Sequence, residues 1–264
     1  MRIVVVIGRV LDPSGIVFNR RRGRMFINRE EYLLQPADRC ALEAALRVKD
    51  IARSQGTPDV EVVALPRAPL PDDDVLRQAL STGADRAVYL TGAGLQDADD
   101  AVMARVLTAA VGRLGGADLV LAGATTLDRE QGQLGPRLAE ALGCPQIVGA
   151  WAVETADGRV QAVLKDGTGY VTVEADLPAV VTMLPGTLKL RYPDGVRLID
   201  VYRAPDAVEH WDVSDLVDEE MLRPLLEERG QDFPPERERG VHVSGSLEEM
   251  AQALADALRQ RVRA

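Results

Sequence analysis

Aromatic residues are scarce in this chain: 3 Phe, 2 Trp and 5 Tyr in 264 residues, or 4%. Stacking platforms for bases are built from such rings, so a reader of single-stranded nucleic acid is not expected. Positive charge is short as well. With 31 Lys and Arg against 41 Asp and Glu the formal net charge is −10, which opposes broad contact with a phosphate backbone. There are 2 histidines, His210 and His242, and neither accompanies a G-x-S-x-G nucleophile, so no catalytic residue is assigned. The 2 cysteines, Cys40 and Cys144, have no metal-ligand spacing and read as small core residues. No apolar run approaches the length of a bilayer span, so membrane insertion is not expected. Met1-Arg2 leads straight into a strand-length run with no signal-peptide pattern, and a reducing cytoplasm is the expected compartment. There is no Walker loop, and Ile7-Gly8-Arg9-Val10 is not a dinucleotide fingerprint.

What is present is an apolar content of 46%, enough for a sizeable core. The stretch Asp118–Gln146 organises it. Leu119-Val120-Leu121-Ala122 is uncharged and reads as a strand buried on both faces, as in a parallel sheet. Gly123 ends it, a polar loop runs from Thr125 to Gln133, and Gly135-Pro136 opens a helix that Gly143 closes. Strand, glycine-bearing loop and helix N-terminus together suit a phosphate group.

Residues 1–148 alternate strand and helix five times, the pattern of a doubly wound, mostly parallel α/β sheet. Helices are expected from Pro36 to about Gln55, over 71–81 and over 99–114. Asp72–Asp74 and Asp99-Asp100 serve as acidic first turns. Within the polar excursion 8–35, the basic run Asn19–Arg24 reads as a solvated hairpin tip. After Ile147 four short strands, the last Ala179–Met183, read as an antiparallel addition over 149–184. The first domain is then 1–204, with 205–264 as an arm. Residues 205–239 hold 12 acidic and 4 basic side chains and are broken at Pro234-Pro235, so no core is expected there. Ser246–Val262 is an amphipathic helix, with Ser246 and Glu249 as a capping-box pair. Its face of Leu247, Met250, Leu254 and Leu258 needs a surface to cover it.

A nucleotide-binding pattern with so little chemistry of its own places the chemistry on a cofactor or a partner. Several separated stretches point to one family. They are Arg9-Val10 with Asp12; Gln35-Pro36-Ala37-Asp38 leading into Ala41–Arg47; Leu76–Arg86; Asp128, Gln131–Gly135 and Pro145-Gln146; Leu177–Thr182; and Arg191-Tyr192-Pro193. In these the chain resembles the beta subunit of electron transfer flavoprotein, over nearly the whole length to about residue 203. The resemblance implies a heterodimer with an alpha subunit that carries most of the redox FAD. It also implies that electrons pass from flavin-dependent dehydrogenases to a quinone-linked or other acceptor. The beta subunit itself would bind an adenine nucleotide, AMP or a second FAD. By position the nucleotide would touch Val6, Gln35, Pro36, Ala37, Asp38 and Arg67. It would also touch Gly123, Ala124, Thr125, Asp128, Gln131, Gly132, Gln133, Leu134 and Gly135. Gln133 and the N–H groups of Gly132–Gly135 would hold phosphate, while Asp128 would shape the loop. Dehydrogenases would engage the loop 185–204, chiefly 191–203, and the C-terminal helix would dock on the alpha subunit.

The pattern departs from the family at several positions. Gln35 stands where asparagine is usual, and Ala124 where a lysine or arginine is, leaving Arg129 or Arg137 as the substitute cation. Gly195 replaces a leucine anchor, for which Val196 or Leu198 can serve, and Asp200-Val201-Tyr202-Arg203 replaces a lysine-rich run. The alternative of another class is a stand-alone ATP-binding sensor of the universal-stress type, against which the extra strands after residue 149 and the acidic arm both argue.

Overall fold

Ile3–Ile7 carries no polar side chain and lies at the centre of the sheet, buried on both faces. The computed structural model describes residues 1–56, 59–227, 229, 230, 240 and 242–262. Pro234-Pro235 lie outside these residues, as does most of the proline-broken stretch around them. The chain forms one unit over Met1–Leu226 and another over Glu227–Ala264.

In chain order the first unit contains β1 (Arg2–Ile7), β2 (Arg9–Leu11), β3 (Ile16–Asn19), β4 (Arg24–Ile27), β5 (Tyr32–Leu34), α1 (Pro36–Ser54), β6 (Glu61–Pro66), α2 (Asp74–Thr82) and β7 (Arg86–Thr91). It continues with α3 (Asp100–Arg113), β8 (Leu119–Gly123), α4 (Leu134–Leu142), β9 (Gln146–Ala156), β10 (Arg159–Asp166), β11 (Gly169–Asp176), β12 (Ala179–Met183), α5 (Gly195–Arg203) and β13 (Glu209–Asp212). The second unit contains α6 (Leu247–Val262). At its start Glu249 Oε2 accepts from Ser246 N at 2.8 Å and Ser246 Oγ accepts from Glu249 N at 3.3 Å, the expected capping box. Leu247, Leu254 and Leu258 are exposed.

Among the described residues nine strands form the main sheet, in the order β11-β10-β9-β12-β8-β1-β6-β7-β13. The strands from β12 to β13 are parallel. Alternate residues of each face opposite helical layers. Ile3, Val5, Leu119 and Leu121 join the cluster that holds α1 and α2. Val4, Val6, Val120 and Ala122 join the cluster that holds α3 and α4. The doubly wound expectation is met. β1 lies between β6 and β8, so the connections leaving its two neighbours run in opposite directions and open a crevice at the C-terminal strand ends.

Two sequence expectations change. Ala179–Met183 is not antiparallel: β12 is a parallel strand between β8 and β9. All five of its residues are buried, as a central parallel strand requires. The antiparallel addition is β9-β10-β11 alone. Gly149, at φ +77°, lets β9 leave its parallel pairing with β12 for antiparallel pairing with β10. Residues 205–226 are also not a free arm. β13 pairs in parallel with β7, and Val208, Trp211, Val213 and Val217 are buried. The acidic residues between them face outward, so an alternating pattern lies beneath the acidic composition. The basic run Asn19–Arg24 is a hairpin tip as expected, joining β3 to β4.

Candidate functional site

The crevice at the C-terminal ends of β1, β6 and β8 is built around Asp38, in the first turn of α1. Pro36 starts that helix with its fixed φ, and Gln35 N donates to Gly8 O at 2.8 Å, holding the helix start against the end of β1. Asp38 is fully buried. Its Oδ2 accepts from Gly8 N at 2.9 Å and its Oδ1 from Gly123 N at 2.8 Å. Arg67 Nε donates to both oxygens at 3.2 Å, and Arg67 Nη2 donates to Gly123 O. Burial pushes the Asp38 carboxyl up from its ordinary value, and the Arg67 guanidinium with the Gly123 and Gly8 N–H groups opposes that shift.

The glycines pack the crevice walls. A Cβ on Gly123 would lie 2.4 Å from Asp38 Oδ1 and 2.6 Å from Ala37 Cβ. One on Gly135 would lie 2.3 Å from Thr182 Cγ2 on β12, and one on Gly132 would lie 2.8 Å from Ala124 O. Gly132 and Gly135 do not have positive φ; what they supply is close approach, of helix to strand and of loop to loop. The loop between β8 and α4 closes on itself. Thr126 N donates to Gln131 O at 3.1 Å and Glu130 N to Thr126 O at 3.0 Å.

The residues expected at the site thus fall into three groups. Gln35, Asp38, Arg67 and Gly123 meet in the buried clasp around Gly8. Val6, Ala37, Ala124, Leu134 and Gly135 are buried in the layers beneath the crevice, and Pro36 is half-buried at the helix start. Thr125, Asp128, Gln131, Gly132 and Gln133 line the accessible loop. Within it Asp128 Oδ1 accepts from Arg129 N at 2.9 Å, which stiffens the turn. Gln133 Oε1 accepts from Arg137 Nε at 3.1 Å and Nη2 at 2.9 Å, so Arg137 stands over the first turn of α4.

Thr126 lies in the loop Gly123–Leu134 that the resemblance puts against the nucleotide, and the sequence assigns Asp100 to a helix first turn alone. Among the described residues, Gln35 Oε1, Thr126 Oγ1 and Asp100 Oδ2 are buried atoms with no hydrogen-bond partner; Trp151 Nε1 on β9 is another. The first three lie on the segments that frame the crevice. Gln35, only 3% exposed, is the most enclosed of them. Leaving such groups unpaired is costly, and a ligand that pairs them recovers that cost. Asp100 begins α3, in the acidic first turn the sequence indicates, and the N-cap is Asp99. Burial pushes the pKa of the Asp100 carboxyl up, and the nearby Arg67, Gln133 N–H and Arg137 oppose that shift. A carboxylate at the start of α4 occupies ground a phosphate would use.

The segment after β12 is pinned to α1. Arg191 Nε donates to Glu43 Oε2 at 3.0 Å and Arg191 Nη2 to Oε1 at 3.1 Å, a two-point pair; Arg191 N adds a 3.1 Å bond to Oε2. α5 then lies along α2. Arg197 donates to Leu80 O and Ala84 O, and Arg77 Nη1 donates to Val201 O and Ala204 O. Tyr202 Oη donates to Asp74 Oδ1 at 2.6 Å. These bonds turn Tyr192, Val196 and Ile199 outward, all exposed, while Leu198 is half-buried.

Among the described residues no helix is long and apolar enough to cross a membrane, and no cluster of metal-ligating side chains occurs. A sequence profile of the family described as the electron transfer flavoprotein domain matches residues 24–212. The acryloyl-CoA reductase electron transfer subunit gamma of Anaerotignum propionicum is 29% identical, over 99% of each chain. The caffeyl-CoA reductase-Etf complex subunit CarD of Acetobacterium woodii is 27% identical, over 99% of each chain. The electron transfer flavoprotein subunit beta of Clostridium acetobutylicum is 30% identical, over 82% of this chain and 80% of its own. This match and the nine-stranded sheet displace the stand-alone sensor reading. On the profile, the relatives and the sheet with its crevice, the chain belongs to the electron transfer flavoprotein family as a beta-type subunit.

Proposed function

We propose that this chain pairs with an alpha-type subunit carrying the redox FAD, and that its own crevice holds the adenosine 5′-phosphate moiety of an adenine nucleotide. That moiety is AMP itself or the adenylate half of a second FAD. The observation that carries the reading is the set of unpaired buried atoms around the crevice, Gln35 Oε1 above all. An acceptor enclosed in this way matches an N–H donor such as the adenine amino group. The Thr126 hydroxyl and the loop N–H groups up to Gly135 would meet ribose and phosphate, with Arg137 as the nearby cation in place of Ala124. AMP supplies no redox chemistry there, whereas a second FAD would add an electron-accepting flavin. Electrons would enter from a flavin-dependent dehydrogenase seated on the exposed side of 191–203, with Val196 and Ile199 as the apolar anchor. α6 would dock on the alpha subunit through Leu247, Leu254 and Leu258.

The test is acid extraction of the purified heterodimer followed by chromatography. One FAD with one AMP, or two FAD, supports the reading, and an extract without adenine nucleotide beyond the alpha-subunit FAD overturns it. Gln35→Leu and Thr126→Val should each lower the nucleotide content of the crevice and leave the alpha-subunit flavin in place. Unchanged content in both would move the site elsewhere.

A further inference from the structure

The hairpin formed by β3 and β4 exposes more apolar surface than two strands can stabilise alone. Ile16, Val17, Phe18, Met25, Phe26 and Ile27 are each 39% to 59% exposed. Cross-strand partners share a face, and Ile16 pairs with Ile27, Val17 with Phe26 and Phe18 with Met25. One face therefore carries two isoleucines, a phenylalanine and a methionine, and the other a valine and a phenylalanine. An isolated hairpin of this kind is marginal in water, and clustered exposed apolar side chains mark an interaction surface.

The hairpin is nevertheless built to project. At its base Asp12 Oδ1 accepts from Ser14 N at 2.8 Å, and Gly15 O accepts from Asn28 N at 2.8 Å. A Cβ on Gly15 would lie 2.0 Å from Arg29 O, so the two strands cross there at glycine distance. At the tip Asn19 Oδ1 accepts from Arg21 N and Arg22 N, both at 3.1 Å, and Gly23 takes φ +57°. The turn presents Arg20, Arg21, Arg22 and Arg24, all exposed and with no acidic partner among the described residues.

We propose that β3–β4 is a docking arm for the flavoprotein partner subunit, seated in a groove with apolar walls and an acidic end. This rests on the heterodimer reading above and names the surface that makes it. The order of chemistry along the arm decides the class of partner. A hairpin entering a bilayer would lead with its apolar residues, whereas this one leads with four arginines, whose insertion is costly. A nucleic acid would meet the tip and leave both apolar faces wet, against a chain of net charge −10. A second copy offers its acidic stretch 206–220, but Val208, Trp211, Val213 and Val217 of that stretch are buried, so it supplies charge without the apolar walls the arm needs. Apolar surface on both faces is the mark of a permanent subunit contact, and transient carrier encounters are smaller and more polar.

The experiment compares the full-length chain with two variant sets, each purified and titrated with the alpha-type subunit. One set is Phe18→Ser with Phe26→Ser. The other is Arg20→Glu, Arg21→Glu, Arg22→Glu and Arg24→Glu together. Each should weaken the heterodimer by more than roughly tenfold, with the second deficit shrinking in high salt. The isolated variants should keep the wild-type melting temperature. Wild-type affinity in both sets overturns the arm while leaving the heterodimer intact. So does an equal loss of melting temperature in the isolated chain, which would make the hairpin part of its own core. Flotation with phosphatidylserine–phosphatidylcholine vesicles, if the wild type floats and the variants do not, overturns it in favour of a membrane. A wild-type chain that binds no flavoprotein subunit removes the heterodimer reading itself, and the arm with it.

Discussion

Asp38 and Arg67 form a buried pair that ties the ends of three adjacent strands together. The carboxylate holds the N–H groups that follow β1 and end β8, and the guanidinium, just beyond β6, reaches the Gly123 carbonyl. Asp38→Ala should cost about 3–5 kcal/mol, because it strands a buried guanidinium and two N–H groups. Asp38→Leu combined with Arg67→Met should cost less than the two single changes summed. Urea denaturation of the wild type, the three single variants and the double variant checks both statements.

Gly135 meets Thr182 at a distance that excludes a methyl group. Gly135→Ala should destabilise by about 1–3 kcal/mol through overpacking. Adding Thr182→Ser removes the clashing Cγ2 and keeps the hydroxyl that accepts from Gly149 N at 3.1 Å. The double variant should regain most of the lost melting temperature.

Against the cost of burial, Arg191 and Arg47 hold the Glu43 carboxyl below its ordinary value of 4.5. A folded-state pKa below the unfolded one contributes stability above about pH 4.5 that is lost as pH falls through the lowered value. Glu43→Gln should therefore be less stable than wild type at pH 7, by roughly 1–2 kcal/mol given the partly exposed arginines. The gap should close in acid. Unfolding midpoints across pH 3 to 7 measure it.

Asp100 places negative charge beside the start of α4. Asp100→Asn should tighten AMP binding to the crevice by roughly tenfold or more. Wild-type affinity should fall as pH rises through the raised Asp100 pKa, and the variant should lack that step. Equilibrium dialysis with AMP reads both.

Truncation after Leu226 should leave a unit with the melting temperature of the full chain, since the first unit ends there. Truncation after Asp206 removes β13 and exposes β7. It also removes buried Val208, Trp211, Val213 and Val217, worth about 1.5–3 kcal/mol each. The shorter product should melt well below the longer one in a calorimetric scan.

The parallel centre of the fold was legible because Ile3–Ile7 and Leu119–Ala122 are uninterrupted apolar runs, which both faces of a covered sheet demand. The caps were legible for local reasons: Ser246 with Glu249, and Gly143, which adopts φ +64° at the end of α4. Ala179–Met183 was misplaced because strand partners are set by crossovers that leave no local trace. The stretch 205–226 was misread because its acids mask four buried apolar positions. In the crevice the contributing segments were legible, but the division of labour was not. A carboxylate in a first turn looks the same in sequence whether it faces a ligand, as Asp128 can, or closes a buried clasp, as Asp38 does.

The position of β12 has a consequence for how the chain is made. Its neighbours β8 and β9 are complete by residue 156, yet the strand that joins them ends at Met183. A ribosome releasing the chain N-terminus first exposes the open flank of β8 before its neighbour exists. During that interval β9, β10 and β11 can pair among themselves by local contacts, but they have no strand pairing with the rest of the sheet. The nascent chain therefore carries an unpaired apolar edge on β8 that its own residues 179–183 later cover. Holding that edge clear of other strands is a demand on synthesis that the finished sheet no longer reveals.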